Sequence, residues 1–333
     1  MAKKTIPLIL LIVLAAFVGW RTLIQGPRDV FAYIACADRK VYAVNLLDGT
    51  VLRESEVVND IGRPTSIALA ADSTLFITSE RGRGQNDYYP LIAIGLEDLD
   101  VRGTYTLNPR GEEQLRNDAP DNARLAAYSV VASPNGRTLY LGLSEASGGL
   151  TTLFDAVAGK VTGRSNVPIL PGNYYLSPYR AQVAEIWPSG SRAAEEGGAS
   201  AVREWSGGVL VRDIQTGEVV SRAELMGNRG LTPPWTSEPG PYLHIKPGTT
   251  EFDAYDRGTG ELIADIDLRR LTGMSPMQDV PTAIPNSTFA ALAMVDEEGH
   301  GFAVVIDTSS KQVRSKTQVG PSPTNLVLAS GTN

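Results

Sequence analysis

A β-hairpin pattern that recurs six times along the chain constrains its fold more than any other feature. Each copy has an apolar run, a short turn and a second strand of alternating character. The apolar runs end at Asn45, Gly95, Asp155, Asp213, Asp256 and Asp307, which are 50, 60, 58, 43 and 51 residues apart. Such a period indicates repeated supersecondary units, and all-strand units of this length are typical of β-propeller blades.

The segments before the hairpins predict two further strands in each unit. Pro64–Leu69 precedes Thr74–Thr78, and Tyr128–Val131 precedes Thr138–Leu141, with Asn135-Gly136 between the last two. Asn-Gly favours a tight turn because both residues tolerate positive φ. We therefore expect each unit to be a four-stranded antiparallel sheet.

The first and last repeats complement each other. Val30–Ala35 reads as the second strand of the first unit, whereas Pro323–Leu328 repeats a first strand. We expect these two strands to pair and close a ring, because closure leaves no sheet edge unpaired at the junction. The predicted fold is therefore all-β, a propeller with six blades preferred. Seven blades, and an open sandwich of similar strands, are the alternatives.

The repeat resembles a known superfamily. Ser133–Leu141, together with Val41–Asn45 and Gly62–Thr65, looks like the repeat of YVTN-type propellers and of the heavy subunits of quinoprotein amine dehydrogenases. The resemblance covers about residues 30–330 and concerns the repeat, not an active site. It implies a propeller, of seven blades in typical members, whereas six hairpins are recognisable here.

The N-terminus predicts a membrane anchor. Lys3 and Lys4 precede an apolar segment, Thr5–Ile24, that is interrupted only by Arg21 and is long enough to span a bilayer. We expect residues 1–25 to form a transmembrane helix and residues 26–333 to form the propeller domain. A cleaved signal peptide is the alternative. The predicted helix would bury apolar side chains that include Ile6, Leu10, Val13, Phe17 and Trp20.

The positive charges around this segment predict its orientation. Lys3, Lys4 and the amino terminus outnumber Arg21 and Arg28, which favours a cytoplasmic N-terminus and an extracytoplasmic, periplasmic propeller. A propeller on the cytoplasmic side is the alternative.

Composition argues for a mostly β chain and against nucleic acid as a partner. The 333 residues include 33 Gly and 21 Pro, and no sustained helical period follows residue 25. The formal net charge is −7, without a basic stripe. A phosphate backbone is bound by basic surfaces.

The residues that commonly perform catalysis are sparse. The two histidines, His244 and His300, lie about one repeat apart, and Cys36 is the single cysteine, which does not suit a zinc site. No Gly-x-Ser-x-Gly elbow, phosphate-binding loop or haem motif occurs. The Asp residues that end the hairpin runs are interpreted as turn caps. We predict no catalytic residue, no metal site and no cofactor.

Three long inter-strand segments, 108–124, 188–206 and 226–241, favour a binding role. Aromatic residues in or near such segments are candidate partner contacts, because Tyr and Trp are enriched at binding hot spots. These candidates are Tyr88, Tyr89, Tyr174, Tyr175, Trp187, Trp205 and Trp235.

Two functions are compatible with these patterns. The first is a membrane-anchored, non-catalytic propeller that acts as an interaction or scaffold subunit of a respiratory, photosynthetic or envelope complex. The alternative is a periplasmic oxidoreductase component resembling an amine dehydrogenase heavy subunit, or another small-molecule enzyme that uses the central channel of the propeller. In that family the organic cofactor resides on a separate subunit, so a missing cofactor motif does not exclude it.

Overall fold

The computed structural model describes residues 29–58, 62–79, 89–107, 126–133, 135–144, 151–165, 174–176, 182–187, 208–213, 216, 218–224, 242–245, 250–255, 262–277, 281–284 and 287–329. Within these ranges the chain is almost entirely β-strand, as predicted. A short α-helix, α1 (Leu268–Thr272), is the exception. Its five residues are too few to show a helical period in the sequence.

The described strands form six antiparallel sheets, in which each strand lies beside its neighbours in the repeat. Sheet 1 contains, in spatial order, β24 (Leu326–Leu328), β1 (Phe31–Ala35), β2 (Val41–Asn45) and β3 (Thr50–Glu54). Sheet 2 contains β4 (Pro64–Leu69), β5 (Thr74–Ser79), β6 (Tyr89–Gly95) and β7 (Val101–Leu107). Sheet 3 contains β8 (Ala126–Ala132), β9 (Thr138–Ser144), β10 (Thr151–Asp155) and β11 (Lys160–Ser165). Sheet 4 contains β12 (Tyr174–Leu176), β13 (Gln182–Trp187), β14 (Gly208–Asp213) and β15 (Val219–Glu224). Sheet 5 contains β16 (Tyr242–Ile245), β17 (Glu251–Tyr255) and β18 (Leu262–Asp267). Sheet 6 contains β19 (Ser275–Pro276) and β20 (Thr282–Ala283), both beside β21 (Phe289–Val295), then β22 (Gly301–Asp307) and β23 (Gln312–Val319).

Neighbouring sheets pack face to face. Side chains of a strand alternate between the two faces of its sheet. In β1, Ile34 packs against sheet 6, whereas Ala35 packs against sheet 2. In β5, Ile77 faces sheet 1 and Phe76 faces sheet 3. A fourth apolar layer joins sheets 5 and 6. Because both faces are covered, the inner strands read as continuous apolar runs rather than as alternating patterns.

All six sheets share one irregularity between the outer strand and the strand beside it. We call the latter the third strand, including β17 of sheet 5, in which only three strands are described. In sheet 1, Ala43 lies opposite Arg53 and Val44 opposite Val51, so Leu52 is an extra residue in the outer strand. The equivalent extra residues are Arg102, Thr162, Val220, Ile263 and Arg314. Such a bulge twists the outer strand and makes it a poor template for edge-to-edge pairing.

The C-terminal strand closes sheet 1, as the sequence predicts. Strand β24 pairs antiparallel with β1, placing Ile34 opposite Leu326 and Ala32 opposite Leu328. It is shorter than the predicted Pro323–Leu328. The Thr324 N–H extends the ladder by donating to the Ala35 carbonyl at 2.8 Å.

The Asn325 side chain fastens this junction to sheet 2. Its Oδ1 accepts the Ile67 N–H at 3.0 Å and its Nδ2 donates to the Ile67 carbonyl at 2.9 Å. Weaker bridges continue between other first strands, since Thr282 Oγ1 donates to Leu326 O at 3.5 Å and Ser66 Oγ donates to Val130 O at 3.4 Å. The Asn325 side chain thus hydrogen-bonds both the backbone N–H and the backbone carbonyl of Ile67, which face the neighbouring sheet rather than a partner strand in their own sheet.

The sheets have two distinct ends. At the hairpin end, the third strands stop at Asn45, Gly95, Asp155, Asp213, Tyr255 and Asp307. At the crossover end, the chain passes from one sheet to the next, and this end also carries the turns after the second strands, 36–40 and 296–300. Asp29 lies at the hairpin end, because the Asn45 Nδ2 donates to its carboxylate at 2.9 Å.

Several predictions from the sequence lie outside the described residues. They include the membrane helix with Ile6, Leu10, Val13, Phe17 and Trp20, the turn residue Asp256, and the long segments 108–124, 188–206 and 226–241. Among the residues that are described, no helix is long and apolar enough to cross a membrane.

Removing residues 321–333 should severely destabilise the protein. The truncation leaves β1 without a partner along one edge and uncovers Ile34 and its neighbours, each of which contributes about 1.5–3 kcal/mol when buried. A thermal melt of the truncated and full chains measures the effect. An unchanged Tm would contradict closure by β24.

Asn325→Ala should lower the free energy of unfolding by about 1–3 kcal/mol, because it leaves the Ile67 N–H and carbonyl without these partners. Gln318→Ala is the matched control, since it removes an exposed amide from a strand. Urea unfolding of both variants tests the bridge. Equal midpoints for the two variants would show that the Asn325 amide contributes nothing specific.

Candidate functional site

The carboxylates at the hairpin end hold turns together, as interpreted from the sequence. Asp155 Oδ1 accepts the N–H groups of Val157 and Ala158 at 2.9 and 2.8 Å. Asp213 Oδ1 likewise accepts the Thr216 N–H at 2.9 Å. Their repetition therefore reflects repeated turn chemistry rather than a ring of metal ligands.

Asp307 is the most heavily bonded of these carboxylates. Its oxygens accept from Thr288 Oγ1 at 2.8 Å, from Ser309 N and Oγ at 3.0 and 2.7 Å, and from Ser310 Oγ at 3.0 Å. Partial burial raises the pKa of Asp307, but the hydrogen bonds from Ser309, Thr288 and Ser310 outweigh it and lower the pKa to about 2.

At the crossover end, the turn between β21 and β22 brings together Asp296, Glu298 and His300, whose potential ligand atoms lie within 4.8 Å of one another. This set is not among the residues predicted from the sequence. Asp296 accepts the His300 backbone N–H at 2.8 Å, and its other oxygen lies 3.1 Å from His300 Nδ1. Glu298 and His300 are exposed. These bonds close the turn, and His300 is the exposed turn residue that its sequence context indicates.

Cys36 and His244 occupy structural positions. Cys36 is fully buried between sheets 1 and 6, and burial, followed by the Asp38 carboxylate, raises the pKa of its thiol. The residue therefore packs as a small apolar group. His244 lies in β16 and is paired in register with Asp253 of β17.

The strand order brings four of the seven predicted partner contacts to the crossover end. Tyr89 begins β6, Tyr174 and Tyr175 begin β12, and Trp187 ends β13. Each of these strand ends belongs to the crossover end. Tyr88 and Trp205 lie outside the described residues, in the segments that connect β5 to β6 and β13 to β14.

Trp235 also lies outside the described residues, in a segment that leaves sheet 4 at the crossover end and enters β16 at the hairpin end. The strand order therefore does not assign it to either end.

Two grooves lie between sheets near the hairpin end. One, of ≈ 530 Å³, separates sheets 2 and 3 and is lined by residues that include Phe76, Tyr105 and Val157. The other, of ≈ 370 Å³, separates sheets 1 and 2 and is lined in part by Leu52 and Arg53. Both are open surface features.

Comparisons with known proteins support the fold. No family model and no curated protein matches the chain. A chain in the crystal structure of a nidogen/laminin complex is similar over 90% of this chain and 98% of its own length, with 12% identity and a TM-score of 0.50. A protein of unknown function from Bacteroides caccae matches over 91% and 100%, with 9% identity and a TM-score of 0.49.

A third similar structure, the Dos1 propeller, covers 88% of this chain and 67% of its own, with 12% identity and a TM-score of 0.39. The sheets described above and the nidogen/laminin likeness are those of a β-propeller-type fold. Similarity at this level of identity concerns the fold alone.

The depressed pKa of Asp307 predicts a pH-dependent contribution to stability. The folded protein favours the carboxylate, so this stabilisation is present above the ordinary pKa of 3.8 and is lost as the pH falls through about 2. Asp307→Asn should lower the Tm by about 2 °C at pH 6, with the difference shrinking towards pH 2.

Thermal melts at pH 6, 4 and 2.5 measure this dependence. Asp100→Asn, which neutralises an exposed carboxylate in the hairpin of sheet 2, is the control and should show a smaller difference at pH 6. A difference between wild type and Asp307→Asn that stays constant with pH would contradict the assignment.

Proposed function

We propose that this protein is a membrane-anchored, non-catalytic six-bladed propeller that serves as an interaction or scaffold subunit of a membrane protein complex. The six described sheets and their common bulge support the blade number, and the apolar segment Thr5–Ile24 supports the anchor. The observation that carries the interaction role is the gathering of four predicted contact residues, Tyr89, Tyr174, Tyr175 and Trp187, at the crossover end.

The anchor and these contact residues belong to opposite ends of the sheets. Asp29, the first described residue, is bonded to Asn45 at the hairpin end. The crossover end carries the strand termini at Tyr89, Tyr174 and Trp187. A membrane helix that joins the hairpin end would therefore turn the contact residues away from the bilayer.

This polarity suits a scaffold. The rigid sheets hold the contact residues at a set distance from the membrane, and the anchor confines encounters with other membrane proteins to two dimensions. Confinement raises the effective concentration of the partner, so a modest affinity of the propeller itself suffices. On the charge rule for Lys3 and Lys4, the propeller and its partner are extracytoplasmic.

Residues 5–24 should form one uncleaved membrane helix, because every backbone polar group in lipid must be bonded within its own segment. Carbonate-washed membranes should retain the protein, and N-terminal sequencing should find the segment intact. A soluble protein that begins near Ala16 would establish the signal-peptide alternative instead.

Replacing Tyr89 and Trp205 with Ala should weaken co-purification of a partner at least severalfold, because a specific interface buries at least about 1,000 Å² around a few aromatic anchors. Phe31→Ala is the matched control, since Phe31 is a 40% exposed aromatic residue near the hairpin end. It should leave co-purification from detergent unchanged, because no bilayer is present there.

The same purified chain tests the enzymatic alternative. Any turnover that the purified chain shows should persist in the variants His244→Ala and His300→Ala. Robust turnover by the isolated chain that is lost on replacing a histidine or a carboxylate facing the channel would overturn the non-catalytic function.

A further inference from the structure

Exposed apolar side chains are concentrated at the hairpin end. Of eight large hydrophobic residues that are exposed in the described part of the chain, only Val57 lies towards the crossover end. Phe31 begins β1, and Val157 lies in the turn between β10 and β11. The others, Val51, Leu52, Val101, Ile263 and Val313, occur within the first three residues of outer strands, which begin at the hairpin end.

These side chains are well exposed and widely spread. Val157 is 56% exposed, Leu52 54% and Val101 48%. Together the set comes from sheets 1, 2, 3, 5 and 6, so it is distributed around one end rather than gathered in a single groove. Exposed apolar residues that are scattered singly are ordinary on a protein surface, so the meaning of this set depends on what the chain places beside this end. A spread of this kind suits a broad, flat surface.

The N-terminal segment identifies that surface as a bilayer, on the premise of the membrane anchor proposed above. Five Cα steps separate Ile24, the last residue of the apolar segment, from Asp29 at the hairpin end. Even fully extended, they span no more than about 18 Å. The headgroup layer is itself about 5–7 Å thick on each side of the hydrocarbon core. An inserted helix therefore holds the hairpin end close to the lipid surface.

Charge at the hairpin end indicates which lipid surface suits it. Asp155, Asp213 and Asp307 recur at the turns of sheets 3, 4 and 6, while Arg102 is paired with Asp98. Arg137 and Lys160 accompany Asp155, so this end carries charges of both signs and is not a basic patch of the kind that anionic headgroups attract. Contact would come from apolar side chains that enter the interface between headgroups.

We propose that the hairpin end lies against the bilayer, with Phe31, Leu52, Val101 and Val157 among the side chains that contact the headgroup region. The propeller thus stands on the membrane in one orientation instead of swinging on its tether, and the crossover end faces away from the lipid.

The test uses the full chain in nanodiscs of phosphatidylcholine that contain a lipid with a nitroxide on its headgroup. Single cysteines at Val157, Val101 and Val57 carry an environment-sensitive fluorophore, and a fourth at Phe17 reports on the anchor. Native Cys36 is fully buried and its thiol pKa is raised, so it does not compete for the label.

Nitroxide quenching should be at least threefold stronger for the labels at Val157 and Val101 than for the label at Val57. Replacing a third of the lipid with phosphatidylserine should not strengthen it. If the label at Phe17 responds to lipid but Val157 and Val101 are quenched no more than Val57, docking of the hairpin end is wrong while the anchor stands. Docking is also wrong if the labels at Val157 and Val101 are shielded both from the lipid nitroxide and from a water-soluble quencher, because a protein would then cover this face.

A label at Phe17 that does not respond to lipid would instead overturn the anchor, and with it the docking that rests on the anchor.

Discussion

Burial of apolar side chains between neighbouring sheets is the constraint on which the rest of the structure depends. The apolar layers between sheets 5 and 6, 6 and 1, 1 and 2, and 2 and 3 are all made by side chains that alternate along shared strands. A sheet of this composition cannot stand alone, because either face would expose a continuous apolar surface to water. Sheet 1 is completed by residues from both ends of the described chain, so β24 couples the first repeat to the last.

Closure also explains why the two ends of the sheets can differ. The inner strands are fixed by their ladders and, in sheets 1, 2 and 6, by an apolar layer on each face, so the turns at either end can vary without loss of the core. At the hairpin end they are short and capped by recurring Asn or Asp side chains, for example Asn45 and Asp155. At the crossover end, β7 and β13 end before the long sequence segments 108–125 and 188–207. The two ends therefore differ in the length of the segments that join the strands.

Much of this architecture can be predicted from the sequence. The third strands end at Asn45, Gly95, Asp155, Asp213 and Asp307 as the hairpin pattern predicts, because turn chemistry is local and is carried by a few residue types. The pairing of β24 with β1 is also predictable, since the first repeat lacks a first strand and the end of the chain supplies an additional one. The bulge at Leu52 and its equivalents is not, because it depends on ladder register rather than on residue type. Nor is the bond between Asn325 and Ile67, which joins residues far apart in the chain.

The candidate site was less accessible to sequence reasoning. Aromatic residues such as Tyr89 and Trp187 could be selected by type and by their nearness to long segments, but their common position at the crossover end follows only from strand order. Exposed apolar residues such as Val101 and Val157 could not be recognised in advance, because a valine near a strand start reads the same whether it is buried or exposed.

The most direct measurement is an electron cryo-microscopy map of the full chain in a nanodisc with its co-purified partner. The account predicts that the disc adjoins the end bearing the turns at Asn45, Asp155 and Asp307, and that the partner occupies the opposite end, beside the turns at Asp38 and His300. A disc beside Asp38 and His300, or a partner and disc on the same end, would contradict it.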